Sequence, residues 1–197
     1  MTPESLRRYL AASAIIDADH PEVVATARRL AEGAASEADV ARACFEFVRD
    51  EIRHSMDFQA NPVTCKASDV LRHRTGYCYA KSHLLAALLR ANGIPAGLCY
   101  QRLSVGDSGA PYCLHGLNAV YLKDAGWYRV DARGNKPGVD ARFAPPVEHL
   151  AFATRAREER MLPEVWAEPL PVVVDALTRH GTWDAVLANL PDVELLD

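Results

Sequence analysis

The sequence has no run of about 18 apolar residues, so no membrane-spanning helix is expected. It has no C-x-x-C pair, and its five cysteines (Cys44, Cys65, Cys78, Cys99 and Cys113) are odd in number. A disulfide scaffold or a finger-type zinc site is therefore not indicated, and free thiols are expected. It has no basic excess: the formal net charge is −4, which argues against a nucleic-acid binder. Internal repeats and low-complexity stretches are absent. The N-terminal stretch "MTPESLRRYLAASAIIDADHPE" holds too short an apolar segment for a signal peptide, so a cytoplasmic protein is expected.

What is present is an ordinary globular composition. The 197 residues are 49% hydrophobic and 24% charged, a length and balance that suit a single domain over residues 1–197. The first third reads as helical. "TPESLRRYL" offers Thr2 as an N-cap and a proline at the first helical position, and "HPEVVATARRLAEG" repeats the device with Pro21 and closes on Gly33. Ser36 and Asp39 make a capping-box-like start to a third helix. On it Val40, Ala43, Cys44, Phe47, Val48 and Ile52 recur at helical spacing, which makes Cys44 a core residue. Residues 54–67 lack a period and read as a surface loop, and "SDVLRHRTG" as a short helix ending at Gly76.

A helix from about Cys78 to Ala91 follows, apolar almost all round and hence buried. Asn92-Gly93 ends it, and Pro95 bars its continuation. The period then changes to two. "AGLCYQRL", "LHGLNAVYL" and "GWYRVDAR" are strand candidates, the first two joined by the loop "SVGDSGAPYC" and the last two by the turn "KDAG". Helices followed by an antiparallel sheet make an α+β arrangement. The core is expected over about residues 36–143, with a C-terminal extension over about 144–197 that carries helices near 171–180 and 182–190.

One cysteine stands where chemistry is possible. Cys78 opens the buried helix, where unpaired N–H groups favour a thiolate. Gly76 before it permits a tight approach, and the N–H of Cys78 can donate to an oxyanion. Of the seven histidines, His83 lies on the same helix but points about 140° from Cys78. His73 is too close in sequence to be placed, and His20, His54, His149 and His180 read as solvated residues at caps, ends or surface helices. His115 begins a strand, and Asp131 ends the next one. The two are equidistant from residue 123, with the turn centred near 124, so they lie within a residue or two of register. Directly paired side chains across strands are about 5 Å apart. An acid so placed can orient the imidazole toward the thiol.

These segments resemble the transglutaminase-like superfamily, whose fold is related to that of papain-like cysteine proteases. "GYCYAKSHLLAALLRANGIPAG" matches its nucleophile helix, "LHGLNAVYL" its histidine strand and "GWYRVDARG" its aspartate strand, over roughly residues 40–135. The resemblance implies a Cys78–His115–Asp131 triad, a papain-like core and acyl transfer through a thioester. Hydrolysis of an amide or peptide bond is the expected outcome, and transamidation the alternative. No cofactor is implied, and nothing resembles the acidic calcium loops of animal transglutaminases. Two departures stand out: Gly116-Leu117 follow the histidine where many members carry an aromatic residue, and Ala132 follows the aspartate where many carry proline.

Rival readings use the same residues. Cys78, Cys99, Cys113 and His115 include zinc-ligand types, though their spacing is not that of a finger or ribbon and Cys99 reads as core. A catalytically silent binding domain would keep the same fold. Arg72, His73, Arg74, Lys81, Arg133 and Lys136 would favour an anionic substrate if they line the cleft, or are plain solvated charges.

Overall fold

The structure is a computed structural model that describes residues 3–106 and 109–193. Thr2 and the middle of the 104–113 loop lie outside the described residues. Helix α1 (Pro3–Leu6) runs into a 3-10 turn over Arg7–Tyr9. Helix α2 (Pro21–Ala31) is capped by His20, whose Nδ1 accepts the N–H of Glu22, and Gly33 beyond it takes φ +74°, the left-handed region glycine adopts freely. Helix α3 (Glu37–Glu51) starts as the capping pattern requires: Ser36 accepts the N–H of Asp39 at 3.1 Å and donates to its carboxylate at 2.7 Å.

The stretch expected as a surface loop is structured and partly buried. Strand β1 (Arg53–His54) leads into helix α4 (Ser55–Phe58), and Thr64 and Cys65 are buried. Helix α5 (Ala67–His73) stops three residues before Gly76, because Arg74 turns left-handed at φ +55°. That frees strand β2 (Thr75–Gly76) to pair in parallel with β1, Arg53 against Thr75 and His54 against Gly76.

Helix α6 (Cys78–Ala91) spans the expected residues and is buried from Cys78 to Arg90. Its polar side chains end on backbone carbonyls: Lys81 on Ile52, His83 on Cys65 and Arg90 on Ala96, Ala11 and Ala167. A buried polar group without such a partner would cost about 1–3 kcal/mol.

Strands β3 (Ala96–Ser104), β4 (Tyr112–Leu122), β5 (Gly126–Val130) and β8 (Arg160–Met161) form one antiparallel sheet in the order β5-β4-β3-β8. Strands β6 (Arg142–Ala144) and β7 (Val147–His149) pair separately as a hairpin. Helices α7 (Pro171–Arg179) and α8 (Trp183–Leu187) fall where helices were expected in the tail. The tail also supplies β8, which two-residue strands without periodicity do not announce. One face of the sheet packs on α6, and Asn118 on it donates to the Ser82 carbonyl of that helix at 2.9 Å. The other face carries Cys99, Leu117 and Ala119 in a smaller cluster with Leu150, Met161 and Val165.

Candidate functional site

β4 runs farther than β5. Their last pair is Asn118↔Val130, so residues 112–117 of β4 have an edge that β5 does not cover. Neighbouring N–H groups of a strand point to opposite edges, and those of Leu114 and Gly116 turn to this open one. The N-terminus of α6 is set against it. Gly116 donates its N–H to Cys78 Sγ at 3.4 Å, and the Tyr79 hydroxyl donates to the Leu114 carbonyl. Gly116 permits this approach: a Cβ there would lie 3.0 Å from Tyr79 Cα and 3.2 Å from its nitrogen. The glycine after the histidine thus has a steric reason.

His115 and Asp131 meet at the same edge. The β4–β5 offset places the direct partner of His115 two residues beyond Asp131. A slip of two keeps both side chains on one face, whereas a slip of one would have separated them. His115 Nε2 and Asp131 Oδ2 are 2.7 Å apart. With Nε2 engaged there, Nδ1 is left for the hydrogen bond that joins the ring to the Cys78 thiol. The structure therefore brings Cys78, His115 and Asp131 together, each under 8% exposed.

The electrostatics follow from the packing. Burial disfavours the imidazolium, but the Asp131 carboxylate and Cys78, by charge and by hydrogen bond, together raise His115 to about 10. Burial likewise disfavours the Asp131 carboxylate. The charge and hydrogen bond of His115 outweigh it, helped by the N–H groups of Arg133 and Ala151 at 3.1 Å each, and hold Asp131 below the ordinary range. Phe152 adds a wall, its ring edge-on to His115 at 5.0 Å between centroids. The Phe152 carbonyl accepts from Gln101 Nε2 at 3.1 Å, and Gln101 is the residue directly opposite His115 on β3.

A second polar group borders the site. His54, expected as a solvated residue, is buried against Tyr77, the residue before Cys78, with ring centroids 5.5 Å apart. It is buried because β1 pairs with β2. Burial, and then the charge of Arg133, push its pKa well below the ordinary histidine value, so it is neutral. Arg133, 4% exposed, donates to Asp57 at 2.5 and 3.0 Å, and Lys136 reaches the same carboxylate at 2.7 Å. Lys81 is buried on α6, and burial followed by Arg133 lowers it to about 7. Arg72 pairs with Glu22 and Asp69, and Arg74 with Glu51. Arg72, Arg74, Lys81, Arg133 and Lys136 thus face protein acids and carbonyls.

The zinc-type set does not converge: Cys99 sits with Leu117 and Ala119 on the sheet face turned from α6. Among the described residues no three of His, Cys, Asp and Glu are grouped to hold a metal ion. Sequence reading missed His54, Gln101 and Phe152, whose places depend on contacts distant along the chain. Only the glycine at 116 left a trace.

Residues 24–132 match the family model of the transglutaminase-like superfamily, more than half of the chain. The chain belongs to the transglutaminase-like superfamily. Its α+β, papain-like core is the one expected. Among solved structures, this transglutaminase-like chain is similar to a candidate cysteine protease from Cytophaga hutchinsonii, with a TM-score of 0.53 and 19% identity over 68% of this chain and 43% of that one. It is also similar to the periplasmic domain of TgpA from Pseudomonas aeruginosa, with a TM-score of 0.51 and 22% identity over 67% of this chain and 48% of that one. At these identities the likeness is one of fold. The chain covers less than half the length of either structure. No curated protein matches it. No helix among the described residues is long and apolar enough to cross a membrane.

Proposed function

We propose that this transglutaminase-like chain is a cysteine-dependent hydrolase that acts on an amide or peptide bond through a thioester on Cys78. The observation that carries the reading is the meeting of the Cys78 thiol, the His115 ring and the Asp131 carboxylate at the open edge of β4. Family membership supports cysteine-based hydrolase or acyltransferase chemistry in general.

The steps follow from the groups. The thiol proton passes to His115 Nδ1, a ring whose affinity for a proton is raised, against burial, by the Asp131 carboxylate first. The sulfur attacks the carbonyl carbon, and the oxyanion that forms lies near the Cys78 N–H at the start of α6, where no helical carbonyl accepts it. The imidazolium gives its proton to the leaving nitrogen, the C–N bond breaks and a thioester remains. A water then attacks the thioester carbon as His115 takes its proton. Collapse expels the thiol and leaves a carboxylic acid. Asp131 holds the ring by Nε2 throughout.

The substrate is an amide- or peptide-bearing molecule. Because Arg72, Arg74, Lys81, Arg133 and Lys136 are engaged with acids and carbonyls, charge preference forms no part of the reading. Five free cysteines support a reducing, cytoplasmic setting.

Turnover of peptide amides by Cys78→Ala, His115→Ala and Asp131→Ala tests the proposal. All three should keep the fold and lose activity, the first two most, since nucleophile and base act as a unit. Full activity in Cys78→Ala ends the mechanism.

A further inference from the structure

The segment after residue 182 lies outside the residues that match the family, and it is tied to the neighbours of both Cys78 and His115. On the thiol side, Tyr77, the residue before Cys78, donates its hydroxyl to the Trp183 carbonyl at 2.5 Å. The Trp183 N–H is held in turn by Asn61 Oδ1 at 2.8 Å. On the imidazole side, Leu114, the residue before His115, donates its N–H to the Pro191 carbonyl at 2.7 Å. Asp192 then clamps Arg102, which pairs with Leu114 across the sheet, through two 2.7 Å contacts. Between these anchors Val186 is fully buried, and Trp183 and Leu190 pack on the core.

The chain therefore passes from the neighbour of the nucleophile to the neighbour of the base. Between those neighbours Cys78 is 7% exposed and His115 5%.

We propose that Trp183–Asp192 is a strap that occupies the acyl-donor groove of this chain, and that the groove takes a polypeptide in extended form. The Pro191 carbonyl fills the N–H of Leu114, which an incoming backbone carbonyl would otherwise take. An open strand edge recognises extended backbone by such main-chain bonds. The identity of the groove rests on the hydrolase reading above, but the strap itself does not. Substrate entry requires release of Pro191 from Leu114, so the segment that closes the groove competes with the ligand for one hydrogen bond. A small amide with no flanking backbone gains nothing from that edge and displaces the strap poorly.

The Arg102–Asp192 pair gives the test. It lies at the end of the strap, its side chains 14% and 33% exposed, so its loss loosens the strap without emptying the core. Asp192→Asn and Arg102→Gln break it from opposite ends, so each checks the other should one fold badly. In the full chain, each variant should raise the rate at which iodoacetamide alkylates Cys78 by about fivefold, the scale of one part-exposed charged pair. Hydrogen exchange at Leu114 should quicken in parallel. A synthetic peptide of residues 186–193, added to Asp192→Asn, should slow alkylation back toward the wild-type rate. An unchanged Cys78 rate in both variants overturns the strap. So does a rise matched at the buried Cys44 and Cys99, which would report general loosening. A peptide without effect overturns the extended-peptide groove. If the thiol is freed but nothing is hydrolysed, the strap stands and the hydrolase reading falls.

Discussion

Gly116 and Cys78 are joined by a backbone N–H to sulfur contact of 3.4 Å, which sets the start of α6 against the uncovered edge of β4. A strand and a helix N-terminus come this close only where no side chain intervenes. Gly116→Ala places a methyl group 3.0 Å from Tyr79 Cα, against backbone that cannot swing aside. The helix start must retreat and carry Cys78 away from His115. The variant should lose about 1–3 kcal/mol of stability, as overpacked sites do, and most of its turnover. Urea denaturation and peptide hydrolysis measure the two. Wild-type stability would show that the approach is looser than described.

The acid–imidazole pair predicts a pH dependence with a definite sign. His115 binds its proton more tightly when folded, at about 10 against an ordinary 6.5. Its contribution to stability is therefore complete below about pH 6.5 and is lost as pH rises through about 10. Asp131 is shifted the other way, so its share is present above its ordinary range and is lost as pH falls through its lowered folded value. Asp131→Asn should flatten the urea midpoint between pH 6.5 and 10, because the ring then loses the partner that raises it. An unaltered slope across that window contradicts the pairing.

Phe152 stands against His115 while its carbonyl is held by Gln101. Removing the ring lets water reach the His115–Asp131 bond and gives the imidazole room to turn. Phe152→Ala should lower kcat about tenfold with little change in KM, as expected when a positioned group is misplaced. Phe152→Tyr should recover most of it. A loss confined to KM would instead assign Phe152 to substrate contact.

Arg133 is buried, and Asp57 supplies the carboxylate that faces its guanidinium. Burial disfavours the Asp57 carboxylate, but hydrogen bonds from Arg133 and Lys136 hold it well below the usual range. Asp57→Asn leaves a buried cation without a counter-charge and should cost about 3 kcal/mol by urea denaturation. Removing both partners, as in Asp57→Asn with Arg133→Met, should cost less than the single change. A single-variant loss within about 0.5 kcal/mol would place the pair with ordinary surface charges.

The parts of this molecule that were readable in the sequence are those whose determinants are local. The Ser36 cap, the Cys78–Ala91 helix and the three long strands carry their own periodicity or punctuation, and the structure has them at or near the expected residues. His115 and Asp131 were placed near each other because one hairpin turn links them. The turn is centred at 124, as expected, while His115 and Asp131 are equidistant from 123, so they sit two residues out of register and on the same face. The burial of His54 was not readable, since it depends on β1 pairing with β2 some twenty residues later. Nor was the path of the tail. Phe152 reaches His115 and Pro191 reaches Leu114 across long intervals of chain, and neither residue sits in a repeating pattern.

The most direct test of the central claim is the mass of the intact protein after reaction with a p-nitrophenyl ester of a short peptide acid. The account predicts a single acyl group, carried on Cys78 and released by hydroxylamine at neutral pH. It should be missing from Cys78→Ala and form at least about 100-fold more slowly in His115→Ala, the scale of a lost general base. Asp192→Asn, with its strap loosened, should acylate faster than wild type. Acylation spread over lysines, or a Cys78 left unmodified in both wild type and Asp192→Asn, would contradict it.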